Sequence, residues 1–108
     1  MSEADASGAV LLTHAVGLHA RPSVKLTKLA KTFGARVELS PSAEGPWIDA
    51  KSIVKVMAFK VTQGTTLHIR ADGADAATAV AALIDLVKRN FDEHDSEQRK
   101  TADGRARA

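Results

Sequence analysis

The chain has 108 residues, 44% of them hydrophobic, and no cysteine. That is enough for one globular domain with a single core; it excludes disulfides and thiolate metal sites and suits a reducing cytoplasm. The net charge of +2 is unevenly placed: residues 15–37 and 50–71 hold no acid, yet they carry Arg21, Lys25, Lys28, Lys31, Arg36, Lys51, Lys55 and Lys60.

The helices through these windows should form a positive surface that attracts acidic partners, phosphate or nucleic acid. Aromatic residues are only 4% of the chain, which leaves little to stack on bases, so a nucleic-acid partner is not expected. No apolar run approaches the ~18 residues of a membrane span. The first residues, MSEADASGA, carry acids where an export signal carries bases. A cytoplasmic protein without membrane insertion is expected.

Residues 1–8 are small and polar and read as a flexible end. Ala9 to His14 reads as a strand. The run RPSVKLTKLAKTF places Leu26, Leu29, Ala30 and Phe33 at i, i+3, i+4 and i+7, one apolar helix face. Lys25, Lys28 and Lys31 fall on the other side. Pro22 suits the first helical turn, and Gly34 stops the helix.

Arg36 to Ser40 alternates polar and apolar residues, as a half-buried strand does. Pro41 to Pro46 reads as a hairpin loop, and Trp47 to Ala50 as a short returning strand. Lys51-Ser52 opens a second helix in which Ile53, Val54, Val56, Met57 and Phe59 are all apolar. So short a helix cannot bury all five, so part of it should be exposed. Gln63-Gly64 is a turn, and Leu67, Ile69 and Ala71 alternate with His68 and Arg70 in a strand.

Asp72 to Asp75 should cap a last helix over Ala76 to Phe91, with a buried stripe of Val80, Leu83, Ile84, Val87 and Phe91. Lys88 and Arg89 suit its C-terminal dipole. The order is strand, helix, strand, strand, helix, strand, helix. Alternating strands with one apolar face predict an α+β open-faced sandwich on a mostly antiparallel sheet. The domain should cover residues 9–92. Residues 93–108 are polar and expected to be disordered, as a tail or a linker.

His19 stands just before the first helix. A helix N-terminus offers free N–H groups and a partial positive charge, which together bind phosphate. Arg21 adds a permanently charged planar donor, and Gly17 allows a tight turn ahead of the ring. A neutral imidazole is a competent nucleophile near pH 7. On residue types and spacing, His19 reads either as a phosphoryl acceptor or as a surface or capping residue. Ser52 reads as the cap of the second helix. His14, His68 and His94 form no metal-ligand pattern, no nucleotide loop is present, and neither metal nor cofactor is expected.

GLHARPS, Gly17 to Ser23, resembles the active-site motif of HPr, the histidine-containing phosphocarrier of the phosphoenolpyruvate-dependent sugar phosphotransferase system. Lys51-Ser52-Ile53-Val54, with Val56-Met57-Ala58-Phe59 and Gln63-Gly64-Thr65 beyond it, resembles that family's regulatory-serine segment. The resemblance covers about Val10 to Phe91, with a slightly longer hairpin at Ser40 to Pro46.

It implies a four-stranded antiparallel sheet with three helices on one face, in the order βαββαβα. It implies a phosphoryl carrier rather than an enzyme. Enzyme I would phosphorylate Nδ1 of His19, Arg21 would hold the phosphate, and a histidine or cysteine of an enzyme IIA domain would receive it. Partners would dock on the first two helices, over Ala20, Val24, Ile53, Val54 and Met57, ringed by Lys28, Lys31 and Lys55. Ser52 would be the substrate of an HPr kinase/phosphorylase. A second reading is a regulatory module of a nitrogen-related phosphotransferase branch. A monomer is expected. Two positions depart from the pattern: Lys60 stands where a small residue commonly ends the second helix, and Val16 stands where a polar residue is frequent.

Overall fold

In the computed structural model, which describes residues 5–13 and 20–92, the elements run β1 (Ala6–Leu11), α1 (Ala20–Lys31), β2 (Arg36–Ser40), β3 (Ile48–Asp49), α2 (Ile53–Phe59), β4 (Thr66–Asp72) and α3 (Ala76–Lys88). The four strands form one antiparallel sheet in the order β1-β4-β2-β3. Three helices complete the expected α+β open-faced sandwich. None of the described helices is long and apolar enough to cross a membrane.

Strand alternation sets the two faces of the sheet. Val10, Val37, Leu39, Leu67, Ile69 and Ala71 are buried, and they meet Leu26 and Ala30 of α1 and Ala76, Ala79, Val80, Leu83, Leu86 and Val87 of α3 in one core. The opposite face is polar. Register puts Glu38 beside Arg70 and Ser40 beside His68. Arg70 Nε donates to Glu38 Oε1 at 2.7 Å, and its guanidinium lies over the Trp47 ring, 4.1 Å from the centroid. This cation–π contact folds the returning hairpin over the open face.

Several boundaries differ from the sequence reading. The strand placed at Ala9 to His14 runs from Ala6 to Leu11 instead, so residues 6–8, assigned to a flexible end, are paired with Ile69, Arg70 and Ala71. Asp5 secures this start: its N–H donates to Asp72 Oδ1 at 3.0 Å, and its Oδ2 accepts from Gly73 N–H at 2.9 Å. Small residues suit this strand because α3 crosses it closely. A Cβ at Gly8 would come within 2.6 Å of Ile84 Cδ1.

The returning strand is shorter than expected, Ile48–Asp49 only. The last helix stops at Lys88, not Phe91. Asn90, Phe91 and Asp92 come next with φ of 55°, 58° and 60°, a left-handed turn that non-glycine residues adopt only when held there. Burial of the Phe91 ring holds it.

Candidate functional site

α1 and α2 are positioned by long-range bonds as much as by burial. At the entry to α1, Thr13 anchors the chain leaving β1: its Oγ1 donates to Asn90 Oδ1 at 2.8 Å, and its carbonyl accepts from Gln63 Nε2 at 3.2 Å. At the exit, Lys51 Nζ donates to the Phe33 carbonyl at 2.8 Å, a cation at the negative end of the helix. The Asp75 carboxylate accepts from the N–H groups of Gly34 and Ala35. The sequence reading makes Asp75 a side-chain cap of α3. It occupies the cap position but makes no side-chain cap bond, because those two amides take its carboxylate instead.

His19 and Gly17 lie outside the described residues, as does His14. The residue after His19, Ala20, is the first of α1. Ala20 and Arg21 are exposed, and Pro22 is buried in the first turn, where its missing N–H costs nothing. The first turn of α1 contains no acid, and Lys28 and Lys31 stand in the last turn. Thus α1 opens with no acid in its first turn and with Arg21 exposed there, and a helix N-terminus favours an anion.

Ser52 caps α2. It has extended backbone angles, φ −103° and ψ 109°, and its Oγ accepts the Lys55 N–H at 3.4 Å. Lys60 ends the helix in the left-handed conformation, φ 51° and ψ 46°, so the departure noted at this position falls where glycine would be unstrained.

Of the large hydrophobic residues exposed among those described, Val24 (40%), Val54 (75%) and Met57 (40%) belong to α1 and α2; the fourth, Leu11, lies on β1. α1 packs against α2, so the three belong to neighbouring helices. Lys28, Lys31 and Lys55 are exposed on the same helices, and Ile53 is half-buried. Exposed apolar residues and cations thus occur together on two packed helices, a composition that suits a protein partner carrying acids.

Lys25 departs from expectation. The helical pattern puts it on the outer side of α1, but it is half-buried and its Nζ donates to the Phe91 carbonyl at 2.9 Å. Ser23 and Thr27 are buried in α1, with hydroxyls that find no partner among the described residues. The sequence offers no signal for the Lys25, Lys51 and Asp75 bonds, since each joins residues 18 or more apart.

The family model described as "PTS HPr component phosphorylation site" matches residues 6–89. The chain belongs to the HPr family. Among curated relatives, the phosphocarrier protein HPr of Cupriavidus necator is 42% identical over 78 residues, covering 72% of this chain and 85% of that one. HPr of Xylella fastidiosa strain 9a5c is 38% identical over 84 residues, covering 78% and 92%. The phosphocarrier protein NPr of Proteus mirabilis is 36% identical, also over 84 residues, covering 78% and 92%.

The crystal structure of an HPr from Thermoanaerobacter tengcongensis superposes with a TM-score of 0.75 at 29% identity, covering 82% of this chain and 98% of that one. The mycoplasma histidine-containing phosphocarrier gives 0.69 at 35% identity, covering 80% and 94%. The HPr fold therefore accounts for residues 6–89, and the chain is a phosphocarrier-type protein of the phosphotransferase system. Residues beyond 89 lie outside that match.

Proposed function

We propose that the protein accepts a phosphoryl group from phospho-enzyme I on Nδ1 of His19 and passes it to a histidine or cysteine of an enzyme IIA domain. As the P–Nδ1 bond forms, the bond from phosphorus to the donor breaks; the second transfer repeats this with His19 as the leaving group. Arg21 and the first amides of α1 hold the charged oxygens in both steps. No cofactor enters. The work is carriage rather than turnover, and the setting is the cytoplasm.

The single observation that carries this reading is the start of α1 directly after His19, with Arg21 exposed in its first turn. The exposed Val24, Val54 and Met57 support docking on α1 and α2, with Ala20 and Ile53 inside that surface and Lys28, Lys31 and Lys55 around it. Most of the relatives named HPr, at 37–42% identity, stand above the NPr of Proteus mirabilis at 36%, while one HPr, at 32%, stands below it; on balance this favours the sugar system over the nitrogen-related branch.

Incubation with phosphoenolpyruvate and enzyme I should put acid-labile, alkali-stable phosphate on the wild type and none on His19→Ala. Label retained by the mutant would refute the assignment. Arg21→Ala should slow transfer and leave the melting temperature nearly unchanged, since the side chain is exposed.

Ser52 is proposed as a regulatory site. A phosphate there would sit at a helix N-terminus, so the helix would persist, but it would set negative charge within a surface suited to acidic partners. With an HPr kinase, intact mass should rise by one phosphate on the wild type and not on Ser52→Ala; equal labelling of both would remove the idea.

A further inference from the structure

A cleft of about 760 Å³ is lined by residues of β2, β3 and α2, a volume suited to one small molecule. Apart from Lys55, it shares no residue with the docking surface or the phosphoryl site proposed above. Its apolar part is Trp47, Ile48 and Phe59, all half-buried. On α2, Lys55 and Phe59 stand at i and i+4, so one face of the helix gives the cleft both a cation and a ring. The Trp47 ring is fixed from outside. Arg70 lies over it, 4.1 Å from the centroid, and Gly45 closes against its Cδ1, where a Cβ would come within 2.8 Å. Arg70 is not part of the lining, so the cleft meets the ring surface that the guanidinium leaves uncovered.

The charges of the lining do not cancel. Arg36, Lys51 and Lys55 are its cations, and Glu38 and Asp49 its acids. Glu38 is paired at 2.7 Å with Arg70, from outside the lining. Lys51 Nζ donates to the Phe33 carbonyl, a neutral group that leaves its charge in place. Arg36 and Lys55 are exposed, and neither makes an ion pair among the described residues. Three cations thus stand against one carboxylate without an ion pair, Asp49.

We propose that this cleft binds a nucleoside monophosphate. The base lies against Trp47 and Phe59, the phosphate meets Arg36, Lys51 and Lys55, and the Asp49 carboxylate accepts from the ribose hydroxyls. A phosphate dianion matches the excess of positive charge in the lining, which a bare nucleoside would leave uncompensated. One tryptophan serves one base, whereas a nucleic-acid strand needs a series of rings. The site does not depend on His19 carrying phosphate.

The chain has one tryptophan and no tyrosine, so its intrinsic fluorescence reads this cleft alone. Titration of the full chain with adenosine monophosphate should change that signal saturably, with a Kd of about 1 mM or tighter. Adenosine should bind about tenfold more weakly, since it lacks the charge-assisted bonds, and inorganic phosphate should leave the Trp47 signal unchanged. Arg36→Gln and Lys55→Gln should each weaken binding about fivefold, the scale of one exposed ion pair, with melting temperatures nearly unchanged. His19→Ala should bind as the wild type does.

No saturable change up to about 10 mM nucleotide would overturn the proposal. So would equal affinity for adenosine and its monophosphate, or wild-type affinity in both glutamine variants. Amide NMR shifts centred on residues 20–24, in place of Arg36, Trp47 and Phe59, would put the nucleotide at the start of α1 and overturn it too, as would loss of binding in His19→Ala. Failure of His19 labelling leaves this titration readable, and a flat titration with normal labelling removes the cleft's role alone.

Discussion

The Asp75 carboxylate accepts the backbone N–H of Ala35 at 2.8 Å, across 40 residues of chain. Its other oxygen accepts from Gly34 at 3.0 Å. Together they tie the entry of α3 to the loop that leaves α1. Gly73 allows this approach: its φ is +132°, and a Cβ there would come 2.9 Å from Ala35 Cα.

The bonds from Gly34 and then Ala35 hold the Asp75 carboxyl below its ordinary pKa. A depressed folded-state pKa gives stability that is present above the unfolded value, near ~3.9, and lost as pH falls through the folded one. Asp75→Asn should therefore lower the melting temperature at pH 7, and its gap from wild type should narrow as pH drops below about 4. Thermal melts from pH 7 to pH 2 measure this; a gap that stays constant throughout would count against it.

Thr27 is 3% exposed and its hydroxyl has no partner among the described residues. Valine keeps the shape and removes the desolvated group, and the two residues have similar helix propensity. Thr27→Val should stabilise the fold by about 1 kcal/mol, read by urea unfolding at an unchanged m-value. A loss of stability would mean that the hydroxyl is satisfied.

Lys60 is a non-glycine residue in the left-handed conformation at the end of α2. Lys60→Gly should stabilise by about 1 kcal/mol, the approximate cost of that conformation for an L-residue, less a few tenths for the freer unfolded chain. The same unfolding experiment decides it, and destabilisation would show that the lysine side chain is needed there.

Val54 is the most exposed of the large apolar residues among those described, so it contributes little to folding. Val54→Asp should change stability by no more than about 0.5 kcal/mol. It should raise KM for transfer from phospho-enzyme I about tenfold or more, as loss of an apolar contact at the centre of an interface does. Unaltered transfer kinetics in a folded variant would place docking elsewhere.

What the sequence made legible was local and periodic. Leu67, Ile69 and Ala71 announced β4 by alternation, and Leu26 and Ala30 marked the buried stripe of α1. Ser52, with an apolar run after it, gave the cap of α2, which the Lys55 N–H bond bears out. The start of β1 was hidden because Ala6, Ser7 and Gly8 carry no strand pattern; their small size serves the close crossing of α3. The end of α3 was misplaced because Phe91 continues the helical stripe in sequence while turning left-handed in space.

For the site, the exposure of Val54 and Met57 on α2 was legible from excess apolar residues on a short helix, whereas Val24 of α1 entered only with the family resemblance. The bonds that set those helices were not. Lys25 and Lys51 look like any solvated lysines, yet each donates to a carbonyl in another part of the fold. Nothing in their local sequence distinguishes them from Lys28 or Lys31, because the partner carbonyls arrive only when the fold closes.

The central claim is that the phosphoryl group travels on one nitrogen of one ring. NMR of 15N-histidine-labelled protein, phosphorylated by enzyme I and phosphoenolpyruvate, tests it at that atom. Phosphorus coupling should appear at Nδ1 of His19 and collapse when unphosphorylated enzyme IIA is added. Coupling at His14, His68 or His94, or no coupling in a fully phosphorylated sample, would contradict the account.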